Sequence, residues 1–472
     1  MGVLQWIRYA VEALAIPIFI YILLLCSFYI ILFLIAFSRM YRENEVNLRE
    51  SYTDLLQQTG NVPPLSILVP AYNEELVIRA SVLSLLDMYY PLFEVIVIND
   101  GSKDATMQVM LETFEMEKTE HVVRRQLNTK EVRGIYRSAR FSNLLLIDKE
   151  NGGKADALNA GINASRYPYF CSLDGDSILE KDALANIMKP VLESREEVIA
   201  VGGSVRIANG SVIEKGEVKK ISLPDSPIVV MQIIEYIRAF LIGRLGLSRY
   251  NILPIISGAF GIFNKAWIVR AGGYREKTVG EDMELIVRLH RLKREQKSRG
   301  RILYVPKAIC LTEAPDTWKI LKSQRTRWHR GLYESLWLHK AMLFNPRYGG
   351  MGLVAMPYFL IVELLGPLIE FTGYVFVVID AIVMRGFSEF VIMVFIVGAL
   401  YGSFLSAAAV LLENWGVRNY PRIRDLTKLF VYALSESFWY RPVTSYWRLI
   451  ATFQAIRGKT GWGEMKRKGV IK

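Results

Sequence analysis

Cysteine is scarce in this chain: Cys26, Cys171 and Cys310 are the only three in 472 residues, and their spacing is not paired. That excludes a scaffold stapled by disulfides, and three thiols in apolar runs read as buried and reduced. No internal repeat or low-complexity segment is present, which excludes a solenoid or a compositional linker. No small-residue cleavage site follows the first apolar stretch, so it is expected to be a permanent span and not a removable leader. The Met-Gly start carries Trp6 where a myristoylation signal has Ser or Thr.

Apolar residues, by contrast, are abundant. They make up 52% of the chain, 12% of it is aromatic, and the mean hydropathy is +0.22. That points to a membrane protein. Leu14 to Phe37, Met351 to Val383 and Phe387 to Leu412 are each long enough to cross a bilayer core of about 30 Å. Residues 40–345, between the first and second of these, are charged and read as one catalytic domain; 416–472 read as an interfacial or re-entrant segment and a basic tail. Arg39 and Arg42 follow the first span directly, which places residues 1–39 as an inward-running helix and the large domain in the cytoplasm. Arg418, Arg422, Arg424 and Lys428 follow the third span, and the tail also ends basic. Residues 429–456, interrupted by Glu436, Arg441, Pro442 and Arg448, are therefore expected to lie in the interface or re-enter. The net charge of +12 is explained first by these positive-inside residues and by contact with anionic lipid. An anionic nucleotide is the second explanation, and nucleic acid is not expected.

Within the large domain, Leu65 to Asn73, Phe93 to Asp100, Leu144 to Ile147 and Tyr169 to Leu173 are short apolar runs. The first three lead into helical patterns. This is the signature of an α/β fold with a mostly parallel sheet, whose ligands sit outside the carboxyl ends of the strands. Asn73, Asp100, Lys154 and Asp174 all fall at or just past such ends. Glu117 to Arg140, rich in arginine, reads as a solvated insertion.

Several residues at these ends carry chemistry. Asp174 and Asp176, one residue apart after a buried strand, can hold a hard divalent cation through oxygen ligands; a turn is the plainer reading of such a pair. Lys154 follows two glycines and opens a helix, a position suited to phosphate but open to any surface lysine. Asp100 before Gly-Ser could simply shape a turn. Glu281 and Asp282 open a helix, where the dipole favours acids. Gln324, Arg327 and Trp328 lie on an amphipathic helix from Trp318 to Leu336, where an interfacial belt would also place Arg and Trp.

Taken in order, Pro70-Ala-Tyr-Asn-Glu74, Val97-Ile-Asn-Asp-Gly-Ser102, Gly153-Lys-Ala-Asp-Ala-Leu-Asn159, Leu173-Asp-Gly-Asp-Ser177, Gly280-Glu-Asp282 and Gln324-Arg-Thr-Arg-Trp328 resemble the family 2 processive glycosyltransferases. These are the membrane synthases of cellulose, chitin, hyaluronan and poly-N-acetylglucosamine. The resemblance implies a GT-A fold, a UDP-sugar donor and Mg²⁺ or Mn²⁺. By the same resemblance, Asp100 binds uracil with Tyr72 and Glu74 beside base and ribose, and Lys154 meets the pyrophosphate. Asp174 faces the ribose and the cation, Asp176 the cation. Asp282, with Glu281, is the base; Gln324 and Arg327 face the leaving diphosphate and Trp328 the acceptor sugar. Ser257-Gly258 resembles an acceptor-side loop. The family motif usually has Thr before Glu-Asp, where this chain has Gly280.

The expectation is a multi-pass plasma-membrane (inner-membrane) enzyme that polymerises UDP-glucose or UDP-N-acetylglucosamine and passes the growing polysaccharide through its own spans. Single transfer to a lipid or oligosaccharide acceptor is the alternative. An accessory export or regulatory subunit is a possible further partner. Glu363, Glu370 and Asp380 fall inside spans, where they are expected to face a hydrated path or to pair with Arg385 or other helices. Trp439, Tyr440, Tyr446 and Trp447 read as an aromatic belt more readily than as sugar-stacking groups, and His329 as structural.

Overall fold

The computed structural model describes residues 2–47, 62–120, 123–175, 177–214, 217–383, 389–416, 420 and 422–458. A long helix α1 (Gly2–Asn47) leads into β1 (Leu65–Ala71), α2 (Ile78–Leu86), β2 (Phe93–Asp100), α3 (Thr106–Thr113), β3 (Met116–Lys118), β4 (Val132–Ser138) and β5 (Leu144–Lys149). Then come α4 (Lys154–Ala164), β6 (Tyr169–Leu173), β7 (Ile178–Leu179), α5 (Ala183–Glu193) and β8 (Val198–Ile207). A small hairpin, β9 (Val212–Glu214) and β10 (Glu217–Lys220), precedes α6 (Pro227–Ile237), a π-helical segment (Arg238–Arg244) and α7 (Leu245–Arg249). β11 (Phe260–Asn264), α8 (Lys265–Arg270), α9 (Glu281–Glu295), β12 (Arg301–Thr312) and α10 (Trp318–Leu338) complete the domain. Past a mostly π-helical stretch at 351–364 run α11 (Gly366–Val383), α12 (Glu389–Gly416) and α13 (Ile423–Ile456).

The ten-stranded sheet has the order β3-β4-β5-β2-β1-β6-β11-β8-β12-β7. Its heart, β5-β2-β1-β6, is parallel. Those strands are apolar along almost their whole length because both sheet faces are covered, and two buried clusters occupy the two sides. Parallel register brings Ala71 beside Asn99 and Asp100 beside Lys149, so the strand ends share one rim. Antiparallel strands extend the sheet on either side. The charged stretch 117–140 is not simply a solvated insertion: its ends form β3 and β4, the sheet's edge, where charged side chains are tolerated and discourage further pairing.

Three helical stretches are long and apolar enough to cross a membrane: Ile16–Arg42, Met351–Ile382 and Ile396–Gly416. Phe37 stacks on Trp415 at 5.4 Å and the Tyr401 hydroxyl donates to the Cys26 carbonyl, so α1 and α12 run in the same direction. α13 folds back on α12 through Ser403 to Leu434 O (2.9 Å) and Ser437 to Ala399 O (3.2 Å). It then lies along α10: Trp318 packs on Trp439, Tyr440 and Trp447, and further on His329 meets Thr452 at 2.8 Å. Tyr440 and Trp447 are therefore interior residues between two helices and not part of a belt at the lipid boundary.

Two acidic residues of the apolar stretches, Glu363 and Glu370, are paired from α13. Glu370 accepts from Arg441 at 2.6 Å and from Ser445 at 2.7 Å, and Glu363 accepts from Arg448 at 3.0 Å. Glu363 and Glu370 are two turns apart, as are Arg441 and Arg448, so one face answers the other. Glu436, buried, takes Arg238 at 2.8 Å and Ser406 at 2.5 Å. Asp380 is buried, and Arg385 lies outside the described residues. All three cysteines are buried, with no disulfide among them.

Removing one partner of a buried pair leaves the other charge uncompensated, at a cost of about 3–5 kcal/mol. Glu436→Ala should lower the melting temperature in detergent clearly, whereas an exposed control, Glu295→Ala, should not.

Candidate active site

The rim of the parallel strands opens into a cavity of about 1900 Å³. At one end the β1 and β2 loops are stitched together. Lys103 N donates to Asn73 Oδ1 (2.9 Å), Glu74 N to Thr106 Oγ1 (2.8 Å) and Ala105 N to Glu75 Oε2 (2.8 Å). These bonds fix Tyr72, which is exposed to the cavity, and Glu74.

Asp100 is 3% exposed, and both its oxygens are engaged within the protein. Oδ1 accepts from Lys149 Nζ (2.6 Å) and Gly152 N (3.0 Å), and Oδ2 from Gly153 N (2.8 Å). Lys149, fully buried, also pairs with Asp156 in the first turn of α4. Asp100 thus acts here on the glycine loop that presents Lys154.

Lys154 is the hub. Its ammonium lies 2.5 Å from Asp174 Oδ1 at the end of β6, 3.2 Å from Gly258 O before β11, and 3.8 Å from Glu281 Oε1 at the start of α9. Burial alone would lower its pKa, but Asp174 and Glu281 raise it above the usual lysine range, so it stays charged. Gly258 N in turn donates to Asp282 Oδ2 at 3.1 Å. A Cβ at Gly258 would come within 2.9 Å of Lys154 Nζ, so a larger residue there would displace the ammonium. Ser257 and Gly258 therefore do belong with the site, beside Lys154 and Asp282.

The Gly280-Glu281-Asp282 segment rests directly on α10. A Cβ on Gly280 would stand 2.9 Å from the Gly331 Cα, which accounts for glycine where the family usually has threonine. Val279 N donates to Glu334 (2.8 Å), and buried Glu284 accepts from His339 (3.1 Å) and Arg288 (2.8 Å). The candidate base is thereby tied to the helix that carries Gln324, Arg327 and Trp328, all of which line the cavity. Gln324 is buried; Trp328 is partly open, with the Arg325 guanidinium 4.5 Å over its ring and Tyr236 at 6.3 Å. Arg325 itself is held by Glu235 at 2.6 Å. His329 is structural: burial and Arg448 push its pKa down to about 3, leaving a neutral ring.

Among the described residues no three His, Cys, Asp or Glu side chains come together as a metal site, and Asp176 lies outside them. What is described fits a hard cation nonetheless: Asp174 is a carboxylate donor at a strand end, and the ammonium 2.5 Å away marks a place already suited to positive charge. Lys149 and Arg244 were not anticipated. Lys149 closes an apolar strand, a signal the sequence did offer. Arg244 lies in a π-helical turn that no spacing rule reveals.

A mixed α/β sheet whose strand ends hold a lysine–carboxylate cluster, beside helices fit to cross a membrane, has the arrangement of a GT-A domain. Residues 66–268 match Glycosyl transferase family 2, and residues 278–471 match Chitin synthase. The sheet-bearing part of the chain is thus similar to the family 2 glycosyltransferases. It is 30% identical over 278 residues to a poly-β-1,6-N-acetyl-D-glucosamine synthase of Staphylococcus epidermidis, covering 58% of this chain and 56% of that one. It is 28% identical over 274 residues to the probable glycosyltransferase YdaM of Bacillus subtilis, covering 57% and 55%. The match thus spans little more than half the length of these relatives. The mannosyltransferase PcManGT from Pyrobaculum calidifontis, solved with GDP-Man and Mn²⁺, has the same fold, with TM-score 0.51 and 18% identity over 91% of this chain and 99% of that one.

Glu281 is lifted by burial, against the pull of Lys154 and with a further push from Asp282, to about 7. Between 4.5 and about 7 the folded chain holds a proton that the unfolded chain has released, so this group's contribution to stability falls as pH rises through that window. Once ionised, it tightens its hold on Lys154. The rate of nucleotide release should therefore rise with an acid limb centred near pH 7, and Glu281→Gln should remove that limb.

Proposed function

We propose that this enzyme polymerises a UDP-hexose by an inverting, processive mechanism and leads the chain between its own membrane helices. The observation that carries the reading is the continuity of one cavity. It runs from Tyr72 and Glu74, past Lys154, Asp174 and Asp282, across Trp328, to Tyr21, Glu370 and Gly402 in three apolar helices. UDP-N-acetylglucosamine is the first donor to try, because curated relatives are poly-β-1,6-N-acetylglucosamine synthases. UDP-glucose is the second.

In this reading Tyr72 and Glu74 flank the nucleoside, while Asp100 holds the glycine loop so that Lys154 meets the diphosphate. Asp174 and Asp176 would hold Mg²⁺ or Mn²⁺, which when bound neutralises diphosphate charge. The acceptor hydroxyl oxygen, placed on Trp328, attacks the anomeric carbon while Asp282 takes its proton. The bond to the diphosphate oxygen breaks with its electron pair, and UDP departs toward Gln324 and Arg327. A single displacement on an α-linked donor gives a β-linkage and requires no covalent enzyme intermediate.

Glu363 and Glu370, paired with Arg448 and Arg441 of α13, supply a polar lining without leaving isolated charges in lipid. The contacts of α13 along α10 support an interfacial placement for residues 429–456. With Arg39 and Arg42 after the first span, the domain lies in the cytoplasm of a plasma-membrane protein.

The test is UDP release by purified full-length protein with a panel of UDP-sugars and Mn²⁺ or Mg²⁺. One donor should be turned over, and Asp282→Asn should reduce the rate about a thousandfold. Turnover of none of the panel, or an active Asp282→Asn, would contradict the assignment.

A further inference from the structure

The guanidinium of Arg244 is the feature the proposed mechanism does not use. Its neighbours in the cavity wall are committed: Arg238 to Glu436, Arg325 to Glu235, Arg441 to Glu370, Arg448 to Glu363, and Lys154 to Asp174. Arg244 also lines the cavity, yet it forms no ion pair among the described residues, and its one ring contact is with Phe240, 3.8 Å below it. Burial lowers its pKa, while Tyr304, Asp282 and Tyr236 raise it only partly back. An arginine does not lose its charge in such a place; it needs an anion.

The surroundings say where that anion lies. Arg244 ends the π-helical turn, so its side chain departs from the register that sends Arg238 to Glu436. Phe240 packs on Tyr236 at 5.8 Å, and Tyr236 on Trp328 at 6.3 Å, so Arg244 caps the aromatic wall assigned to the acceptor. The next turn packs on α1, with Gly246 against Leu32, which puts the residue beside the membrane helices. Gly258, which donates to Asp282 at 3.1 Å, lines the same cavity as Arg244.

We propose that Arg244 binds a phosphate oxyanion on the acceptor side of Asp282, so that the acceptor which starts the chain is a membrane-anchored phosphate ester. The proposal rests on the glycosyltransferase reading of the same cavity. The same chemistry could also be offered by the diphosphate of departing UDP, and the experiment separates the two.

Full-length protein in detergent, wild type and Arg244→Gln, is titrated with farnesyl phosphate, with farnesol and with UDP–Mn²⁺, and binding is followed by tryptophan fluorescence or calorimetry. Farnesyl phosphate is expected to bind better than farnesol, with Arg244→Gln weakening the phosphate at least about tenfold, as loss of a charged hydrogen bond implies, and leaving UDP unchanged. Arg244→Lys should restore part of the affinity. Weakening of UDP alone would keep the oxyanion site but assign it to the leaving diphosphate and overturn the phosphate-bearing acceptor. Equal binding of phosphate and alcohol, or no change in any ligand at matched melting temperature, would overturn the proposal. These are binding measurements, so they can fail while UDP release succeeds, and the reverse.

Discussion

A single ammonium group holds this catalytic centre together. Lys154 joins the end of β6 through Asp174, the approach to β11 through Gly258, and the start of α9 through Glu281. Without a cation those three elements would bring carboxylates together in a half-buried space, which electrostatics opposes. Its own position is set one layer down. Asp100 holds the amides of Gly152 and Gly153, and fully buried Lys149 balances Asp100 and Asp156. Asp100, expected to meet the base, thus also holds the loop that delivers the lysine.

The second constraint is the contact between α9 and α10. Gly280 and Gly331 meet backbone to backbone, and Glu334 and His339 pin the same junction. Asp282 and the residues that face it from α10 therefore share one rigid junction. Through His329 and Trp318 that junction continues to α13, through Arg325 to α6, and through Arg441 and Arg448 of α13 to the membrane helices. The candidate base and the membrane helices are thus joined by packing.

Much of this was legible in the sequence. Apolar runs ending in Asn73, Asp100 and Asp174 predicted the parallel strands and their common rim, because period and burial fix strand direction and ligand side. The span lengths followed from hydropathy, and the helix at 318 from its amphipathic pattern. What stayed hidden depends on contacts distant in sequence. The pairing of Glu370 with Arg441 and of Glu363 with Arg448 joins residues that no local rule relates. The edge strands within 117–140 are short and highly charged, so propensity argues against them until β5 offers a partner. Tyr440 and Trp447 looked like interface aromatics because burial between helices leaves the same composition as a belt. Gly280 could be seen as a departure from the family motif, but its reason, the approach of Gly331, needs coordinates.

The central claim is that one continuous cavity serves both bond formation and passage of the product. It is tested most directly by the product-length distribution at low conversion, with protein in sealed vesicles and catalytic domains facing out. The account predicts long chains from the first turnovers, protected inside the vesicle from an added glycosidase. Products that lengthen uniformly by single sugars, or stay accessible outside, would contradict it.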